Sequence, residues 1–205
     1  MPKPWPKRIR DTGQLTVFND AGVWSDSVDA AMKTFNSLAF NVQLVAAEKE
    51  ASANIVVLLA TGALTYTHDG TTVQTNAKFK FNQLHGQTDL LQDRRSHEML
   101  FAVTFLPGKV PDATHGQKEV IIVHEFIHAS GGMGNDEHDS LGVFVGYMQA
   151  VDGGMLEYLP DEGAKPMPPM RVGPRTLLKM QAMWPGVRRP MHHSARGIVR
   201  VAGTN

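Results

Sequence analysis

The chain has no cysteine. Disulfides, thiolate zinc sites and cysteine nucleophiles are excluded at once, because each needs a sulfur that is not there. Neither charge is in excess: 20 Lys and Arg balance 20 Asp and Glu. A nucleic-acid-binding domain ordinarily carries a basic surplus, so no nucleic-acid partner is expected. Long apolar runs are missing too. The longest is near IVVLLA, residues 55–60, far too short to cross a bilayer. The N-terminal MPKPWPKRIRDTG is basic, but no apolar stretch follows it, so it does not read as a secretory signal. These absences point to a soluble protein, cytoplasmic or part of a virion, with no membrane partner.

What is present suffices for one good core in 205 residues. Residues 1–13, with three prolines and several cations, read as an extended N-terminal arm. LTVFND (15–20) has strand composition, and SDSVDAAMKTFNSLAF (25–40) reads as a helix. Ser25 or Ser27 can cap that helix, and Asp26 and Asp29 suit its positive first turn. Val28, Met32, Phe35 and Leu38 fall at helical spacing toward a core. VQLVAA (42–47) and NIVVLLA (54–60) are the next strands, the second apolar on both faces and so suited to a central position. Asp69-Gly70 is a strong hairpin signal. AKFKFN (77–82) alternates strictly and reads as a half-exposed strand, and EMLFAVTFLPG (98–108) as another.

A helix over 115–130 follows, then a stretch rich in Gly, Met and Pro to 173. GPRTLLKMQAMWPG (173–186) is a final short helix, with Pro174 placed for its first turn. Residues 187–205 form a basic tail that includes His192 and His193. The order implies an α+β domain over 14–186: a twisted sheet, helices packed on it, a loop-rich lower part and a C-terminal helix.

VIIVHEFIHASGG, residues 120–132, carries the chemistry. Thr114 and Gln117 make a capping-box pattern at one end, and Gly131 and Gly132 can take the left-handed conformation that ends a helix at the other. His124 and His128 then lie one turn apart on one face, so both imidazoles can reach a point about 2 Å from each nitrogen, as zinc requires. Glu125, turned about 100° from His124, is badly placed as a ligand but well placed to accept a proton from water on the metal. H-E-x-x-H thus supplies two ligands and a general base.

Zinc needs a third protein ligand to leave one open position for water. His138, in ASGGMGNDEHDS, is the best candidate. Asp136 and Asp139 are rivals as ligands or as partners orienting an imidazole. Glu157 would serve only from a later helix, which Pro160 disfavours. His85, His97 and His115 are isolated and read as surface or capping histidines. NDEHD lacks the spacing of a calcium loop.

At these residues the chain resembles the metzincins, and within them the matrixin-like zinc peptidases, whose pattern is H-E-x-x-H-x-x-G-x-x-H followed by a methionine turn. His124, Glu125, His128 and Gly131 match in register. The family's third histidine would fall on Gly134, and His138 is four residues later, which implies a small insertion. FAVTFLPG resembles the family's edge strand. MPPM offers Met167, or Met170, for the methionine turn, and KMQAMWPG resembles the end of the last helix.

The resemblance, which covers most of 15–186, implies a zincin-like fold and a Zn²⁺ peptidase. In it the metal polarises the scissile carbonyl, while Glu125 takes a proton from water and returns it to the leaving amine. It implies a peptide or protein substrate paired in extended form with the edge strand near Leu100–Leu106. No tyrosine follows the methionine turn as in the family, which leaves Tyr147 and Tyr158 as the ones at hand.

Two other classes fit the same motif. One is a structural or adhesion module on a zincin scaffold, for example a component of a phage particle docked through its termini, with little or no turnover. The other is a zinc hydrolase acting on something other than peptides, such as cell-wall material. An intact Glu125 favours catalysis, because a purely structural zinc site needs neither a base nor an open position.

Overall fold

A computed structural model describes residues 3–68, 70–75, 79–109, 113–134, 143–145, 148–150, 156–158 and 170–186. At its centre is a five-stranded mixed sheet. The strands are β1 (Gln14–Asp20), β2 (Gln43–Ala46), β3 (Ile55–Ala60), β6 (Gln87–Gln92) and β7 (Met99–Pro107), in the order β2-β1-β3-β7-β6. The first four in that order are parallel, and β6 pairs with β7 antiparallel at the edge.

The sheet's two faces are served by alternate residues of the same strands, as the two-residue period of a strand requires. Ile55 and Val57 of β3 join a large cluster with helices α2 (Ser25–Ser37), α3 (His115–Gly131) and α4 (Pro174–Met183). Val56, Leu58 and Ala60 join a second cluster under a hairpin, β4 (Thr65–His68) and β5 (Thr71–Gln74), with Phe79. This is why β3 reads as apolar throughout: both of its faces are covered. In the hairpin Gly70 takes φ +73°, a left-handed conformation that favours glycine; Asp69 lies outside the described residues.

Several sequence expectations change in the folded chain. The arm expected at 1–13 is not simply extended: Lys7–Arg10 form one helical turn, α1, and Trp5 is fully buried. α2 has no side-chain cap from Ser25 or Ser27, because a 3-10 turn over Gly22–Trp24 feeds straight into it. Ser27 is instead buried against His115 Nδ1, 3.1 Å away. Val28, Met32 and Phe35 do face the core, with Leu38 packed at its margin. Within AKFKFN, Phe79 and Lys80 are not in a strand and the chain turns at 81–82. There Phe79 packs edge-on to Phe81 and against His85, and Gln83 N donates to Lys80 O. Among the described residues of this stretch, 79–82, Phe79 is the buried side chain and none is paired in a strand; Ala77 and Lys78 lie outside the described residues.

Among the described residues after α3 are four short strands: β8 (Val143–Val145), β9 (Met148–Ala150), β10 (Leu156–Tyr158) and β11 (Met170–Val172). They pair antiparallel as β9 with β10 and β8 with β11. Among the described residues no helix is long and apolar enough to cross a membrane.

Candidate metal centre

α3 begins as its sequence dictates. Thr114 Oγ1 accepts from Gln117 N at 3.2 Å, and the Gln117 side chain accepts from Thr114 N at 2.9 Å, closing the capping box. At the other end Gly132 is the C-cap at φ +58°. Gly132 could carry no side chain, since a Cβ there would run into the Lys3 backbone. The last carbonyls of the helix are satisfied from both ends of the chain. Trp5 Nε1 donates to Ala129 O at 3.1 Å and Trp184 Nε1 to Ser130 O at 3.0 Å. Lys3 N donates to Gly132 O at 2.8 Å. A helix end leaves its final carbonyls without partners, and here two buried indoles and a strap of backbone supply them.

On this helix His124 and His128 converge. Their Nε2 atoms are 3.0 Å apart and their rings nearly perpendicular. His128 is 6% exposed, and its Nδ1 lies 2.8 Å from the Met133 carbonyl. A carbonyl only accepts, so Nδ1 carries a proton, and it is Nε2 that faces His124. Anchoring one ring nitrogen on a carbonyl while the other faces a shared point is how protein metal sites fix a histidine. Two nitrogens each about 2.0–2.1 Å from a zinc ion and 3.0 Å apart would subtend roughly 95° there, within a small adjustment of tetrahedral. The pair therefore fits two positions of a divalent metal.

Glu125 is 4% exposed. Burial pushes its carboxyl above the ordinary glutamate range; His128, a hydrogen bond from Thr88 and His85 pull it back, and Asp89 adds to the rise. Thr88 Oγ1 donates to Glu125 Oε2 at 2.7 Å. Gly86 lies against the same carboxylate: a Cβ there would sit 2.5 Å from Glu125 Cγ and 2.8 Å from Oε1.

In front of Glu125 and His128 opens a cleft of about 730 Å³. Its walls include the edge strand β6, the hairpin residues Thr72–Gln74, and Lys3 and Met133. The strand on the cleft is thus β6. β7, with the expected substrate-pairing residues Leu100–Leu106, lies between β3 and β6 and offers no open edge. QTDLLQ gave little strand signal because all six of its residues are half-buried, with no clean inside–outside alternation.

Other predicted site residues fall as follows. His138, Asp136, Asp139, Tyr147 and Met167 lie outside the described residues, as do His192 and His193. Glu157 and Tyr158 are on β10, a strand and not a helix. Met170 opens β11 and is buried in the main cluster. Among the described residues no group of three or more His, Asp or Glu is placed to hold a metal. His115 starts α3 and touches Ser27, and His97 sits in a turn at φ +59°. His85, expected as a surface or capping histidine, lines the cleft, with Nε2 2.9 Å from Lys80 O. Comparison with protein-family models, with curated proteins and with solved structures finds no match to this chain.

Proposed function

We propose that this chain is a zinc-dependent endopeptidase built on a zincin-like scaffold. The observation that carries the reading is the convergence of His124 and His128 Nε2 at 3.0 Å beside a buried Glu125, all on one helix, with Glu125 and His128 lining a cleft. Four parallel strands with an antiparallel edge strand along that cleft support the scaffold.

His124, His128 and, as third ligand, His138 would hold the ion. When bound, zinc supplies Lewis acidity: it polarises a carbonyl and brings a water to near-neutral pKa. Glu125 accepts the proton of the attacking water and delivers it to the amine that leaves. Its burial suits that work, because a carboxyl held above the ordinary glutamate range is a better proton acceptor than an unperturbed one. β6 offers backbone groups at the sheet edge, where an extended peptide adds as a further strand. The half-buried hairpin and Phe79 flank the same groove.

The test is metal analysis together with cleavage of a broad peptide library by the wild type and by Glu125→Ala. One zinc per chain is expected in both, with turnover in the variant lower by about 10²–10⁴-fold. Zinc bound without glutamate-dependent cleavage would leave the structural or adhesion module as the better reading. His138→Ala should lose zinc; full stoichiometry in that variant would remove His138 from the ligand set.

A further inference from the structure

The edge strand contributes more to the site than a groove wall. Thr88 and Thr104 are direct cross-strand partners in the β6–β7 ladder, and both project toward α3. Their hydroxyls are 2.9 Å apart, and Thr88 Oγ1 is 2.7 Å from Glu125 Oε2. The directions of these bonds follow from the groups. With its carboxylate ionised Glu125 can only accept, so Thr88 donates its single proton there. Thr88 then has only lone pairs left for Thr104, and Thr104 must be the donor in that bond. Thr104 is fully buried on a central strand, where a hydroxyl without a partner is costly. The result is a one-way chain, Thr104 to Thr88 to Glu125, ending on one carboxylate oxygen. Gly86, two residues before Thr88, leaves the room in which the other oxygen lies.

We infer that Thr88, held by Thr104, is a positioning residue that fixes the Glu125 carboxylate in its working rotamer. Among the described residues Thr88 is the carboxylate's hydrogen-bond partner, so removing its hydroxyl frees the side chain to rotate while both imidazoles keep their places. The consequence is a split in kinetic effects. Substrate binding draws on the β6 backbone, which a Thr88 substitution leaves intact, while proton transfer draws on the carboxylate's aim. The inference rests on Glu125 being the general base.

The experiment compares Thr88→Val, Thr88→Ser and Thr104→Val in the full chain. Thr88→Val should lower kcat by about 10–100-fold, the range found when an orienting partner is removed, with KM changed less than about threefold and one zinc still bound. Thr88→Ser, which keeps the hydroxyl, should recover to within about threefold of wild type, and Thr104→Val should fall between. A readout independent of turnover is a double-mutant cycle on urea unfolding of the metal-free protein, using Thr88→Val, Glu125→Ala and the double variant. A coupling of about tenfold in the unfolding constant is expected for a hydrogen bond to this buried carboxyl group. Unchanged kcat in Thr88→Val, or additive effects in the cycle, would overturn the inference. A wild type without glutamate-dependent turnover would overturn the peptidase reading instead, and the cycle would still decide whether Thr88 holds the carboxylate.

Discussion

Asp89 is a half-buried carboxyl on the edge strand. Burial pushes it above the ordinary aspartate value of 3.8, against the pull of the Gln87 amide, whose Nε2 donates to Oδ2 at 2.8 Å, and of the Lys3 ammonium. A raised folded-state pKa means that the folded chain holds this proton more tightly than the unfolded one. The associated stability is present below the unfolded value and is lost as pH rises through the folded one. Asp89→Asn removes that loss while keeping an acceptor for Gln87. The variant should match wild type near pH 3.5 and be the more stable of the two at pH 7, as read by thermal melts at both values. A wild type more stable than the variant at pH 7 would show that the Lys3 attraction outweighs burial. Neither Asp89 nor Thr88 was legible as a site residue in the sequence. Each reaches the cleft through strand register, and Thr88 meets a carboxylate 37 positions away. His124, Glu125 and His128 were legible because the helical period alone places them together.

Among the elements, α3 is the one the rest of the site depends on, and its two ends are secured differently. The N-terminal cap is local: Thr114→Ala should cost about 1 kcal/mol. The C-terminal end is held by distant segments, and Trp5 is both fully buried and bonded to Ala129 O. Trp5→Ala should cost roughly 3–5 kcal/mol, since it opens a large cavity and strips a carbonyl of its partner. Urea unfolding of the two variants should rank them in that order; a smaller loss for Trp5→Ala than for Thr114→Ala would mean that the strap is dispensable. The same contrast explains what could be read in advance. Capping box and glycine stop are encoded within a few residues of the helix, so its bounds were clear. β6 and the packing of Trp5 are encoded by partners far along the chain, and nothing in PKPWP or QTDLLQ announces them. The strictly alternating AKFKFN misled for the converse reason: a local pattern cannot supply the neighbouring strand that a ladder needs.

On the scale of the whole molecule, a metal that binds the folded chain and not the unfolded one stabilises it by mass action. Zinc at about a hundred times its dissociation constant should add about 2.7 kcal/mol. For a chain of 205 residues that corresponds to roughly 5–10 °C in melting temperature, reversed by a chelator and absent in His124→Ala. No shift with zinc would rule out a folded-state metal site. The arrangement also brings its own probe. The chain has three tryptophans, all buried, and two of them donate their indole N–H groups to the last turn of the histidine helix. Indole emission responds to its polar surroundings, so the intrinsic fluorescence should change as zinc is titrated in, and the Trp24 contribution should stay constant. Loading of the site can then be followed in real time without a label.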